Sequence, residues 1–116
     1  MGKSQRDKGK RWEREFAAML RDVMPGADIY RSQQGDGAHQ PDVVCPLFWP
    51  ECKCGKAVSV RAALRQAQAD STLSSAPAWV LAAIKDDRKP PWVAMPMDDW
   101  LEMVSVLWRE TRPREG

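Results

Sequence analysis

No stretch of about 20 apolar residues occurs in the sequence, so no membrane-spanning helix is expected. The amino-terminal residues are too polar for a secretory signal, and Arg6 stands where a myristoylated amino terminus needs serine or threonine. Histidine is nearly absent: His39 stands alone, beside only three cysteines, Cys45, Cys52 and Cys54. An odd number of cysteines, two of them on one strand face, argues against a disulfide framework and for a reducing compartment. The expected location is therefore cytoplasmic, in a prokaryote or in the host of a phage. A zinc site from His39, Cys45, Cys52 and Cys54 would need C-x-C in place of the usual C-x₂₋₄-C spacing, so the cysteines are expected to pack as small hydrophobes. His39 is expected in a loop near the ligand. There is no internal repeat, and 116 residues with 43% hydrophobic content can bury one core, which leaves no room for a separate specificity domain.

The net charge of +2 is small, but its distribution is uneven. Residues 1–11 hold Lys3, Arg6, Lys8, Lys10 and Arg11 against Asp7 alone. A block of this kind is usually solvated and gains order on a polyanion, so residues 1–7 are expected to form a flexible basic arm. Arg31, Lys53, Lys56, Arg61 and Arg65 surround the acidic residues described below, and a nucleic acid is the expected partner.

Periodicity places the elements. Trp12, Phe16, Met19, Leu20 and Val23 form an apolar stripe on a helix over 9–23, with Glu13 beside it and no partner at Ala17. After the Gly-rich loop Gln33 to Pro41, residues 42–47 read as a strand, Leu47 to Pro50 as a turn, and 51–54 as a second strand. Ser59 is expected to cap a helix reaching about Leu73, with Ala63, Leu64 and Ala67 inward. The unbroken apolar run Ala78 to Ile84 reads as a strand buried on both faces, and Trp92 to Met95 as a short one. Asp98 is expected to cap a last helix whose Trp100, Leu101, Met103, Val104, Leu107 and Trp108 span more than one stripe. Residues 111–116 read as a tail. The predicted class is α/β with the order α-β-β-β-α-β-β-α and one domain over 8–110.

Chemistry concentrates at Asp42, Glu51 and Lys53. Glu51 and Lys53 lie on one face of a strand, Cys52 and Cys54 on the other, and a hairpin would bring Asp42 beside them. Two carboxylates suit a hard cation such as Mg²⁺ or Mn²⁺, and a neighbouring lysine can orient a water or neutralise charge developing on phosphate. The same E-x-K on an exposed strand is commonly no more than a solvated pair.

Taken with Lys8-Gly9-Lys10-Arg11-Trp12-Glu13-Arg14-Glu15, Tyr30-Arg31-Ser32 and Pro41-Asp42-Val43-Val44, the Glu51-Cys52-Lys53 triplet resembles the PD-(D/E)xK nuclease superfamily. The likeness covers roughly residues 8–73 and is to its archaeal-type Holliday junction resolvase branch. It implies a restriction-endonuclease-like mixed sheet flanked by helices, and Mg²⁺-dependent hydrolysis of phosphodiester bonds. Glu13, Asp42 and Glu51 would be the acidic residues, with the Cys52 carbonyl as a further metal ligand and Lys53 as the catalytic lysine. Gln66 would support the site from the following helix, with Gln68 as its rival. Lys8, Lys10, Arg11, Arg14, Arg31, Ser32, Lys56, Arg61 and Arg65 would lie against DNA, which is expected to be branched. Paired cuts at a four-way junction imply a homodimer, for which the surplus apolar residues of the last helix are the expected surface. The alternatives are a flap or nicking nuclease of the virus-type replication-repair kind, and a silent nucleic-acid-binding module on the same fold.

Overall fold

The two faces of one strand organise the molecule. The computed structural model describes residues 3–32, 40–74, 78–86 and 89–112. Its elements follow the order α1 (Lys3–Val23), β1 (Tyr30–Arg31), β2 (Val43–Val44), β3 (Phe48–Cys54), α2 (Val60–Thr72), β4 (Trp79–Lys85), β5 (Trp92–Ala94) and α3 (Met97–Thr111). β3 runs parallel to β4, with Phe48 opposite Trp79 and Cys54 opposite Lys85, and β5 adds to β4 antiparallel. A parallel pair needs a long crossover, and α2 supplies it. β1 and β2 form a separate antiparallel pair, joined to β3 where the Asp42 N–H donates to the Pro50 carbonyl at 3.3 Å. Among the described residues the architecture is α/β, with small mixed sheets and three helices.

Alternation along β3 sends one set of side chains to α1 and the other to α2. On the α1 side, Cys52, Leu81, Ala83 and Val43 pack with Trp12, Phe16, Ala17 and Ile29. The opposite side holds Trp49 and Val80 against Ala67, with Leu64 and Ala78 at its margin. The Trp12 indole N–H donates to the Ala83 carbonyl at 2.9 Å, which satisfies its polar atom in the apolar layer and sets α1 across β4.

Several boundaries differ from expectation. α1 begins at Lys3, so from residue 3 onward the expected basic arm is the first part of a helix. Residues 1–2 and 113–116 lie outside the described ones, as does the loop 33–39 with His39. The α1 stripe is narrower than its spacing suggests: Trp12, Phe16 and Ala17 are buried and Leu20 and Met24 pack against the same core, whereas Met19 and Val23 are exposed on the flank of that row.

The expected turn at Leu47 to Pro50 lies earlier. The Phe48 N–H donates to the Pro46 carbonyl at 2.9 Å, and Leu47 takes a φ of 75°, a left-handed turn that reverses the chain within three residues. Phe48, Trp49 and Pro50 then open β3 instead of closing a turn. Phe48 and Trp49 gain burial on opposite faces, and the missing N–H of Pro50 falls on the edge toward the short β2, where no ladder bond is required.

Ser59 does cap α2, its side chain accepting from the Ala62 N–H at 3.1 Å. Asp98 does not cap α3. Pro96 holds that position, Asp98 and Asp99 sit in the first turn, and the Asp99 carboxylate accepts from the Val80 N–H at 2.8 Å. With Glu102 accepting from the Trp79 indole at 3.2 Å, α3 is fastened to β4 by two acids at its amino-terminal half, and none of its residues is buried.

Candidate active site

Asp42 stands at the entrance to β2, held on both sides through its backbone. Its N–H donates to the Pro50 carbonyl and its carbonyl accepts from the Ser32 N–H at 3.0 Å. Its side chain then closes onto β3, where Oδ2 accepts from the Cys52 N–H at 2.7 Å. A main-chain hydrogen bond to a carboxylate is charge-assisted and fixes the rotamer. In an extended residue the N–H and C=O leave on one edge, so the Cys52 carbonyl lies on the Asp42 side of β3.

Glu51 and Lys53 share the other face. Lys53 Nζ is 3.3 Å from Glu51 Oε1, and the Glu51 side chain is nearly shut off from solvent while the lysine is partly open. Burial is the main force on both acids. It pushes the Asp42 carboxyl from 3.8 up to about 6, with Glu13 and Asp70 adding repulsion against the Cys52 hydrogen bond and Lys53. Burial likewise raises Glu51 from 4.5 to about 7, reinforced by the charge of Asp42 and opposed by Lys53. Two carboxylates that repel each other in a partly desolvated place, with one ammonium between them and solvent, form a site for positive charge.

Glu13 has a partner after all. Its Oε1 accepts from Arg31 Nε at 2.8 Å, so an expected DNA contact and an expected acidic site residue neutralise each other beside Asp42. Gln66 is exposed and so is Gln68, which lines a groove with Arg61 and Arg65. The α2 residue whose charge reaches both Asp42 and Glu51 is Asp70, half-buried one turn beyond Gln66 in the row of Ala63 and Ala67. Its spacing from those two inward alanines was the signal that could have found it. Ser32, expected against DNA, is buried behind Asp42. Lys8, Lys10, Arg11, Arg14, Lys56, Arg61 and Arg65 are all exposed.

Among the described residues no three acidic, histidine or cysteine side chains stand together as a metal cage. The donors present still fit a hard, hydrated cation. Mg²⁺ keeps several waters and is commonly bound through one or two carboxylates and the substrate's phosphate, so Asp42, Glu51 and the Cys52 carbonyl are a sufficient protein contribution.

These shifts carry a sign. Both acids hold protons in the folded state that the unfolded chain releases, so metal-free protein is expected to lose stability as pH rises from about 4 to about 7. The loss should be about 3 kcal/mol from either acid alone and at most about 6 kcal/mol from the two, which repel each other, and Glu51→Gln should roughly halve it. Thermal melts in a chelating buffer at pH 5 and pH 8 test this; a wild-type protein more stable at pH 8 would contradict it. Addition of Mg²⁺ at pH 8 should restore stability.

Cys52 is buried in the α1 layer and Cys54 half-buried at its edge, and burial drives the Cys45 and Cys52 thiols upward, away from the metal-binding thiolate. Cys52→Ala should cost only about 1–2 kcal/mol of packing, and the purified protein should hold no stoichiometric zinc. Zinc that disappears with either the Cys52 or the Cys54 substitution would overturn this. Among the described residues no helix is long and apolar enough to cross a membrane. No protein-family model and no curated protein matches this chain.

Proposed function

We propose that the protein is a divalent-metal-dependent, structure-specific DNA endonuclease of the PD-(D/E)xK kind, and within it a Holliday junction resolvase. One observation carries the proposal: the desolvated Asp42 carboxylate, closed onto β3 through the Cys52 N–H, and the desolvated Glu51 carboxylate of that strand are near enough to repel each other, with Lys53 Nζ 3.3 Å from Glu51. The α/β architecture is compatible with a restriction-endonuclease-like fold.

A bound Mg²⁺ or Mn²⁺ would polarise the scissile phosphate and acidify a water. Asp42, Glu51 and the Cys52 carbonyl would hold it. Lys53 lies where an ammonium can orient the attacking water or neutralise charge growing on the phosphate. Arg31 keeps the Glu13 carboxylate fixed beside Asp42, and Asp70 deepens the negative field from the α2 side. The exposed Lys10, Arg14, Lys56, Arg61 and Arg65 provide sequence-independent phosphate contacts. The expected products are 5′-phosphate and 3′-hydroxyl ends.

A second reading, a DNA-binding module without cleavage, is favoured by the Glu13–Arg31 pair, which occupies a third carboxylate. Cleavage of a synthetic four-way junction, compared with matched duplex, flap and single strand, with and without Mg²⁺, decides between them. Metal-dependent, junction-selective cutting supports the resolvase. Flap or nicking preference reassigns the substrate within the superfamily, and binding without cutting supports the silent module.

A further inference from the structure

Glu13 and Arg31 meet beside the acidic site, and their pairing sets two expected roles against each other. A carboxylate that would face a cation and a guanidinium that would face a phosphate neutralise one another, with 2.8 Å between Arg31 Nε and Glu13 Oε1. The backbone fixes where they meet. Glu13 follows Trp12, whose ring is buried and whose indole N–H is tied to the Ala83 carbonyl. Arg31 lies opposite Val43 on the β1–β2 pair, and α1 is clasped to the start of β1 by Arg21, which donates to the Ile29 carbonyl from Nε at 3.1 Å and from Nη2 at 2.9 Å. The pair can thus part by side-chain rotation alone.

Its two members are not equivalent. The Glu13 side chain is 14% exposed and that of Arg31 27%, so the acid lies deeper and the base reaches solvent. Arg31 also commits one nitrogen only. The bond runs from Nε, and the terminal nitrogens make no hydrogen bond or ion pair among the described residues. One charge-assisted bond in a partly solvated place is weak beside the two parallel bonds that a guanidinium makes to a phosphate. The charge of Glu13 is felt at Asp42, so the direction in which its partner turns matters to the acids of the site.

We infer that Arg31 is a positioning residue that withholds the Glu13 carboxylate from the cation until a DNA phosphate takes its guanidinium, a role that rests on the metal-dependent nuclease reading above. In the free protein the charge of Arg31 cancels that of Glu13, which leaves Asp42, Glu51 and the Cys52 carbonyl as the donors. With a phosphodiester on the guanidinium, the Glu13 charge is uncompensated beside Asp42 and adds to the field that holds the cation. Binding free energies are reciprocal, so DNA tightens the metal by the same factor as the metal tightens DNA. Arg31 thereby makes a complete site depend on the presence of substrate.

Calorimetric titration of Ca²⁺, a hard cation that takes oxygen ligands, reads this coupling without a need for cleavage. In DNA-free protein, Arg31→Gln is expected to bind Ca²⁺ about tenfold more tightly than wild type, and the same substitution made on top of Glu13→Gln is expected to give no such gain over Glu13→Gln alone. An equal gain in the Glu13→Gln background would mean that Arg31 only repels the cation, and no gain in Arg31→Gln would mean that the pair does not restrain Glu13; either result overturns the role. With a saturating four-way junction, corrected for Ca²⁺ held by the DNA itself, wild type should bind the cation about tenfold more tightly than without DNA, and Arg31→Gln and Glu13→Gln should each lose most of that increase. An increase of the same size in all three proteins overturns the role as well. A measurement on wild type alone stands apart from the folding of any variant: the Arg31 Nε–H signal in NMR should shift when metal-free junction is added, and an unshifted signal at saturating DNA overturns the role. Junction cleavage judges the nuclease reading separately. A protein that cuts DNA while Arg31→Gln binds Ca²⁺ as wild type does loses only the coupling, and one that shows the coupling and never cuts loses only the nuclease.

Discussion

Glu51→Gln is expected to abolish junction cleavage, by roughly 10³-fold or more, while DNA binding stays within a few-fold of wild type or tightens. Glu51 is almost wholly buried beside Asp42, so its charge serves what occupies the site in the transition state more than it serves the docking of a polyanion. Removing a carboxylate also lessens repulsion of phosphate. Asp42→Asn should behave alike, since the Cys52 N–H can still anchor an amide oxygen and keep the strand geometry. Lys53→Ala should lose the rate with a smaller effect on metal affinity. Glu13→Gln should fall between wild type and these variants, because Glu13 is neutralised by Arg31. Single-turnover cleavage and metal-free binding, measured side by side, separate the two quantities. Near wild-type cleavage by Glu51→Gln would remove the site from β3 altogether.

Replacing Trp100 or Trp108 by glutamate is expected to convert a two-fold homodimer into folded monomers that nick junctions without resolving them. We propose the dimer because each chain carries one site, whereas resolution needs paired, symmetric cuts, and an isologous interface matches the near two-fold symmetry of a four-way junction. Met97, Trp100, Leu101, Val104, Leu107 and Trp108 repeat at helical spacing and are all exposed, so they form one apolar stripe left open on α3, with only Met103 and Val106 partly covered. Trp92 and Val93 of the edge strand β5 add to the exposed apolar surface. With about 100 Å² from each of these large side chains, the patch approaches the ~800 Å² per partner of a standard interface. A buried tryptophan at such a contact commonly contributes 2 kcal/mol or more, so a charged replacement should weaken association by about 30-fold at least. Sedimentation of wild type and variants, with circular dichroism to show that they fold, is the measurement. A wild-type monomer that makes paired cuts would refute the dimer.

Some of this molecule could be read from its residues alone. The period of Trp12, Phe16 and Leu20 identifies the packed face of α1, though not the exposure of Met19 and Val23, Ser59 marks the start of α2, and Ala78 to Ile84 reads as an interior strand, because each depends on local spacing and on burial of apolar surface. The alternation that sets Glu51 and Lys53 against Cys52 and Cys54 is likewise a property of any strand. What the tertiary structure decided is which charges meet. Arg31 turns to Glu13 across 18 positions, Lys85 to Glu15 across 70, and the Asp99 carboxylate to the Val80 N–H, pairings that no local pattern encodes. On α2, Asp70 is half-buried and its charge adds to the repulsion on both acids, whereas Gln66 is exposed, and which of the two turns inward depends on the rotation of the helix against the sheet. The position of the turn before β3 also belongs here: Phe48 and Trp49 look like loop residues beside Pro50 until two layers, one on each side of the sheet, offer both rings burial. Periodicity within the chain settles which face of an element is apolar; only the packing of distant elements settles which polar group it meets, because a contact energy exists only where both partners are brought together.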